Sequence, residues 1–124
     1  MNTKITYLYR DDANNKAINE VVINGRLTEE QQKVIIDCCD GGWFVPSQVC
    51  FPEIRLGSYD KELDHSWFEF DESYCTCFQD SDDTPSIDMT PEDVVKQFTS
   101  VKDWDYNDKS WINDYDHDDE EDED

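Results

Sequence analysis

The chain is short of positive charge. Ten lysines and arginines face 32 aspartates and glutamates, which gives a formal net charge of −22 over 124 residues. So few bases argue against direct binding to DNA, RNA or an anionic membrane, because those partners repel an acidic surface. Solubility alone needs a net charge of only about 2–8 in magnitude for a small domain. The composition therefore favours a basic protein as the partner.

Glycine is also scarce, and no catalytic motif accompanies it. Only four glycines are present, and neither a phosphate-binding glycine loop nor a G-x-S-x-G motif occurs. Asp64 and His65 are adjacent, so on a strand they would point to opposite faces and make a poor acid–base pair. The pattern therefore predicts no catalytic residues, no cofactor and no enzyme activity.

Long apolar runs are missing as well. No stretch of about 20 apolar residues occurs, as a membrane-spanning helix would need. The first twelve residues, MNTKITYLYRDD, contain no apolar core of signal-peptide length. We therefore expect a cytoplasmic protein with no membrane partner.

The cysteines do not form a recognisable metal or disulfide pattern. They are five in number, at Cys38, Cys39, Cys50, Cys75 and Cys77. Neighbours this close in sequence are poor disulfide partners, so we expect reduced thiols. With His65 they supply enough soft ligands for zinc, but adjacent cysteines and a C-x-C do not form the C-x₂-C knuckles of zinc sites.

The residues from Asp80 onward do not match a calcium-binding EF-hand loop either. Its sixth and twelfth positions are Pro85 and Pro91, where the EF-hand needs glycine and glutamate. The sequence therefore predicts no metal site.

Hydrophobic alternation predicts strands in the first and middle parts of the chain. Residues 4–10 and 17–23 alternate or are rich in β-branched side chains, and the Asp- and Asn-rich residues between them predict a hairpin. Residues 43–58 are broken by prolines and predict a loop with short extended pieces. Residues 65–70 predict a third strand, and residues 74–78 predict its extension or a fourth.

Two capping signals predict two helices. Thr28 opens a capping box with Gln31, and two glycines at 41–42 end that helix. Its predicted inward face consists of Val34, Ile35 and Cys38. Residues 79–88 predict a loop, after which Thr90 caps a second helix that ends near residue 102. Its predicted inward face consists of Val94, Phe98 and Val101.

The predicted class is α+β. We expect a small antiparallel sheet of three or four strands, two helices on one of its faces, and an acidic C-terminal tail.

The tail combines acids with aromatic side chains. Residues 103–124 hold twelve acids and one base, Lys109. A plain solubilising tail needs no aromatics, and a core segment would not tolerate this charge. We therefore predict a compact domain at 1–102 and a partner-binding tail at 103–124. The predicted contact residues are Trp104, Asp105, Tyr106, Asp108, Trp111, Asp114, Tyr115, Asp116, Asp118, Asp119, Glu120 and Glu121.

The spacing of the tail charges suggests what they imitate. An extended chain advances about 3.3 Å per residue, and double-stranded DNA carries one charge per about 1.7 Å of axis, or 3.4 Å per strand. The terminal acidic run therefore resembles one DNA strand in charge density, and its aromatics would fit platforms that stack bases. A disordered, solubilising tail is the alternative. Acids that continue through the folded part, from Asp11 to Asp83, argue against it.

In size and charge the whole chain resembles the small acidic proteins of phages and other mobile elements that mimic nucleic acid, namely anti-CRISPR and anti-restriction inhibitors. The resemblance implies a non-enzymatic inhibitor in the cytoplasm of the host bacterial cell. It would block the nucleic-acid-binding groove of a basic defence protein such as an RNA-guided nuclease.

Residues 7–69 also resemble an uncharacterised group of short bacterial and mobile-element proteins. The segments that carry this resemblance are YRDDANNK at 9–16, GRLTEEQ at 25–31, DGGWFVPSQV at 40–49 and DHSWFE at 64–69. The resemblance implies no function, but it does imply that 1–102 is the domain and the tail is an addition.

Two other functions fit the same residues. One is an acidic immunity-type or chaperone-like protein that shields a basic partner without mimicking nucleic acid. The other is an accessory domain that binds through the loop at 43–52, with Trp43 and Phe51 as contacts. Competition by DNA separates the first from mimicry, and charge-neutral changes in the loop test the second.

Overall fold

Two helices pack on one face of a small antiparallel sheet in the computed structural model, which describes residues 1–11, 13–54 and 67–105. The predicted α+β class is confirmed. Most of the predicted tail, from residue 106 onward, lies outside the described residues.

The hairpin forms as predicted. Strand β1, Asn2–Arg10, pairs antiparallel with β2, Lys16–Ile23, in a register that places Arg10 opposite Lys16. Asp11 closes the turn, because its carboxylate accepts hydrogen bonds from the backbone N–H groups of Ala13 at 2.9 Å and Asn15 at 2.8 Å. Asp11 is therefore a buried turn residue, and of the acids counted through the folded part it does not contribute to an exposed acidic surface.

Three shorter strands complete the sheet. Strand β3 is Trp43–Phe44, β4 is Phe68–Glu69 and β5 is Phe78–Ser81. The strand order is β2-β1-β4-β3, and β5 pairs with the first half of β1. Residues 74–78 were predicted to extend the third strand or to form a fourth, and residues 79–88 were predicted to form a loop. The chain instead turns through 72–74 and starts the strand at Phe78, so this boundary was wrong. The third strand was predicted at 65–70; its first two residues lie outside the described part.

Both helices begin at the predicted caps. Helix α1, Glu29–Cys38, has a complete capping box at Thr28 and Gln31, and α2, Pro91–Ser100, has one at Thr90 and Asp93. Between them, Pro46–Val49 forms a 3₁₀ helix. None of the helices in the described ranges has both the length and the apolar character that crossing a membrane requires.

The inward face of α1 differs from the prediction. Ile35 is fully buried and Ile36 packs against the core, whereas Val34 is 38% exposed. The three apolar residues 34–36 are consecutive, so only packing against α2 and the sheet decides which of them turn inward. On α2, Val94 and Phe98 are buried as predicted, while Val101 is only half-buried and follows the last helical residue.

The core is largely aromatic. Tyr7 of β1 lies at its centre, 5.4 Å from the Phe44 ring and 5.7 Å from the Phe51 ring between ring centroids. Its hydroxyl donates to the carbonyl of Pro52 at 2.5 Å, and burial, with a smaller effect of Glu53, raises the pKa of that phenol. Phe51 is therefore a core residue, and it does not offer the exposed contact that the loop-binding alternative needs.

The core also contains a thiol whose ionisation is suppressed. Cys77 is fully buried, and burial, followed by the neighbouring Cys75, raises its pKa to about 12. In the unfolded chain a thiol ionises above a pKa of about 8.5. Stability from this group is thus fully present below that value and is lost as the pH rises towards the folded pKa.

Replacing Cys77 with valine is expected to reduce the alkaline loss of stability. Between about pH 8 and pH 10 the free energy of unfolding of the unmodified protein should fall by about 2 kcal/mol more than that of Cys77→Val. Urea denaturation at both pH values measures this difference, and titrating groups that do not contact Cys77 cancel in it. Equal losses in the two proteins would mean that the Cys77 thiol ionises in the folded state.

Candidate partner-binding surface

Negative charge exceeds positive charge within the domain itself. The residues that the structure describes include eighteen acids and seven bases. Even if every one of these bases neutralised one acid, eleven negative charges would remain uncompensated within the described ranges. The excess therefore belongs to the folded part as well as to the tail.

Some of the described bases lie on the face of the sheet that points away from the helices, which we call the outer face. Side chains at odd positions of β1 enter the core, so those of Lys4 and Arg10 lie on the outer face. Lys4 pairs with Asp83 at 3.2 Å. Arg10 pairs with Glu69 at 2.8 Å and Asp71 at 2.9 Å. Each of these two bases is therefore paired with at least one acid.

The two helices run in the same direction. Gly25, just before α1, is so close to the start of α2 that an added Cβ would lie 2.9 Å from Pro91 Cδ. At the other end, the Trp104 indole N–H donates to the carbonyl of Cys38, the last residue of α1, at 3.0 Å. The amino ends of α1 and α2 are therefore neighbours, and so are their carboxyl ends.

Acids at the amino ends have a structural explanation. Glu29 and Glu30 lie in the first turn of α1, and Glu92 and Asp93 lie in that of α2. Carboxylates there interact favourably with the helix dipole. Hydrogen bonds from the Thr90 backbone N–H and side chain lower the pKa of Asp93, as expected for a capping carboxylate.

Acids at the carboxyl ends have no such explanation. Neither helix has a base in its last turn. Asp40 follows α1, while Asp103 and Asp105 follow α2, and all three are exposed. Carboxylates beside the negative ends of two helices are unfavourable for folding. Carboxylates placed against the helix dipole are the kind of locally unfavourable arrangement that proteins show at functional sites.

The start of the predicted tail is held against this end of the domain. The Gln48 side-chain amide donates to the carbonyl of Asp103 at 3.2 Å and accepts from the backbone N–H of Asp105 at 2.6 Å. The Trp104 ring packs edge-on against Phe44 at 6.1 Å and against Phe98 at 6.0 Å between centroids. Packing therefore continues to Trp104, two residues past the predicted boundary at 102.

Of the predicted contact residues, the structure describes two. Trp104 is half-buried and its indole N–H is used within the fold, whereas Asp105 is exposed at the point where the tail leaves. The other ten lie outside the described residues: Tyr106, Asp108, Trp111, Asp114, Tyr115, Asp116, Asp118, Asp119, Glu120 and Glu121. The sequence contained no signal for Gln48, because its partners are more than 50 residues away in the chain.

A notch opens at this same end of the domain. It has a volume of about 480 Å³ and is lined by the indoles of Trp67 and Trp104, with the exposed residues Asp40, Asp103 and Lys102 at its rim. Trp67 also packs edge-on against Trp43, with ring centroids 6.1 Å apart. We use the name carboxyl-end surface for Asp40, Trp67, Asp103, Trp104 and Asp105.

The thiols near this surface are poorly suited to metal binding or nucleophilic chemistry. Burial, followed by the charge of Cys38, raises the pKa of Cys39 to about 12, so it is protonated at neutral pH. All five cysteines are free. Over the part of the chain that the structure describes, His, Cys, Asp and Glu side chains form no group of three or more that could hold a metal ion.

No protein-family model, curated protein or solved structure matches this chain. The two resemblances noted in the sequence stay predictions, and function is inferred from the chain's own residues.

Proposed function

We propose that this protein is a non-enzymatic inhibitor that occupies the nucleic-acid-binding groove of a basic bacterial protein. A defence nuclease, such as an RNA-guided one, fits this description. The observation that carries the proposal is the uncompensated negative charge of the folded domain, which extends to the helix carboxyl ends where the acidic tail begins. Such a partner would be met in the cytoplasm of the host bacterial cell.

The contact between tail and domain supports this proposal. Because Gln48 and Trp104 hold residues 103–105 against the domain, the tail's acids continue from the carboxyl-end surface. A groove that recognises the phosphate backbone uses arginines and lysines placed along its length. A continuous line of carboxylates can satisfy those same side chains and exclude nucleic acid by competition.

The runner-up function is shielding of a basic partner at a site that does not bind nucleic acid. The same negative charge supports it, and the two proposals predict different behaviour towards DNA. Under mimicry, DNA and this protein compete for one site. Under shielding, added DNA leaves the complex intact.

Removing residues 106–124 is expected to weaken partner binding on the order of 100-fold, because ten of the chain's acids leave with them. The cut after Asp105 retains the contacts of Trp104 and Gln48, so the truncated domain should keep its thermal unfolding temperature. Tagged full-length and truncated proteins are used to capture partners from a bacterial lysate, with and without competing DNA.

A tail of equal length with amides in place of its acids is the matched control, because it separates charge from chain length. Retention of a nucleic-acid-binding protein by the full-length form alone, with displacement by DNA, would support mimicry. If all three forms retain the same protein and added DNA does not displace it, the tail is not the binding site and shielding is favoured. We also expect affinity to fall steeply between about 50 mM and 200 mM salt, because backbone-type contacts release counterions.

A further inference from the structure

The notch at the carboxyl-end surface has aromatic walls in fixed positions. The Trp104 indole is oriented by its hydrogen bond to the Cys38 carbonyl at 3.0 Å and by its packing against Phe44 and Phe98. Trp67 precedes β4, which is part of the sheet, and its ring packs against Trp43. Both indoles that line the cavity are thus held in place by packing within the domain.

The two carboxylates at its rim belong to Asp40 and Asp103, whose backbones are held by hydrogen bonds. Asp40 and Trp43 exchange two backbone hydrogen bonds, of 2.8 Å and 3.0 Å. The carbonyl of Asp103 accepts from the Gln48 side chain. Both carboxylates are exposed beside the negative ends of α1 and α2, which add to the local negative potential.

One base also lines the notch. Lys102 forms no ion pair with any residue that the structure describes. Its positive charge offsets one of the two rim carboxylates, so one negative charge remains at the notch. Asp105 and the carboxyl ends of the two helices add to that negative potential.

We propose, resting on the function proposed above, that this notch accepts the guanidinium group of an arginine from the basic partner. A guanidinium is planar, so it stacks on an indole face while its N–H groups donate to carboxylates at the rim. An ammonium group is compact and more strongly hydrated, and it matches this combination of flat walls and paired acceptors less well. Arginines also line grooves that bind a phosphate backbone.

The test uses the full-length protein and a small probe, N-acetyl-arginine amide, with N-acetyl-lysine amide as the comparison. The ¹⁵N–¹H signals of the four indoles are assigned from single Trp→Phe variants and followed during titration. We expect saturable shifts at Trp67 and Trp104, with the arginine amide binding more tightly than the lysine amide. The variant Asp40→Asn/Asp103→Asn should weaken arginine binding by about 3- to 10-fold, the size of two partly exposed ion pairs, while the stacking on the indoles remains.

The matched control is Asp88→Asn/Glu92→Gln, which removes the same charge near the amino end of α2. It should leave the affinity for the arginine amide within about twofold, since distant exposed charges are screened by salt. Equal losses of affinity in the two double variants would mean that the arginine amide is held by diffuse electrostatic attraction, and would overturn the proposal of a site in the notch. Equal affinity for the two amides, or no saturable shift at Trp67 and Trp104, would also overturn it.

These outcomes are separate from those of the function test. Capture of a DNA-displaceable partner without arginine binding in the notch would remove this inference alone. Arginine binding in the notch, with a partner that DNA does not displace, would remove mimicry alone.

Discussion

Replacing Arg10 with methionine is expected to lower the free energy of unfolding by about 3 kcal/mol, because it leaves the largely buried carboxylate of Glu69 without its partner. The Arg10 guanidinium donates to Glu69 at 2.8 Å and to Asp71 at 2.9 Å, and also bonds the Asn14 side chain. The Glu69 side chain is only 10% exposed, and Arg10 itself is 25% exposed. Without the arginine, the Glu69 carboxylate is left in a poorly solvated position without the partner that compensates its charge.

Two further variants identify the cause of that loss. Arg10→Lys keeps the charge but not the forked donor, so it should lose part of the stability. In Arg10→Met/Glu69→Gln the unpaired charge of Glu69 is absent, so the double variant should recover more than half of the lost free energy of unfolding. Chemical denaturation of the four proteins measures these differences. A double variant as unstable as Arg10→Met alone would mean that the lost stability comes from packing of the arginine stem and not from the unpaired charge of Glu69.

Truncating Phe98 to alanine is expected to cost about 3–5 kcal/mol, the range for a fully buried aromatic side chain. Phe98 is the side chain through which α2 packs against the aromatic core. Its ring centroid lies 5.6 Å from that of Phe44, 5.7 Å from Phe51 and 6.0 Å from Trp104. Its loss would leave a cavity beneath the residue that holds the start of the tail.

Phe98→Leu is the matched control, because leucine fills much of the same volume and should cost less than half as much. The alanine variant should also loosen Trp104, which appears as a shift or broadening of its indole N–H signal by NMR. Stability retained within about 1 kcal/mol, below the range for buried aromatics, would mean that the core closes around the gap. An unchanged Trp104 signal would mean that the tail is held by Gln48 and Cys38 without help from Phe98.

Local sequence signals predicted the elements whose boundaries depend on local chemistry. The caps at Thr28 and Thr90 were placed correctly, because a capping box joins residues three apart and needs nothing else from the fold. The hairpin was also placed correctly, since its strands pair through a short turn.

Errors arose where distant partners decide the outcome. The start of β5 at Phe78 depends on pairing with Ile5, more than 70 residues earlier in the chain. The exposure of Val34 depends on where α2 packs, which the helix pattern alone does not contain. In both cases the local sequence permitted two answers, and tertiary contacts selected one.

The sequence by itself determined the α+β class, both helix starts, the hairpin and the excess of negative charge, because composition, capping and alternation are local properties. Only the tertiary structure decided where that charge is compensated. Folding pairs Lys4 and Arg10 with acids on the outer face of the sheet and leaves Asp40 and Asp103 beside the carboxyl ends of two parallel helices. It also turned Trp104 from a tail residue into part of the domain, because its hydrogen-bond acceptor, Cys38, lies 66 residues away in the chain. Charge can be counted from a sequence, but its position relative to helix ends and aromatic rings is set by packing between distant residues.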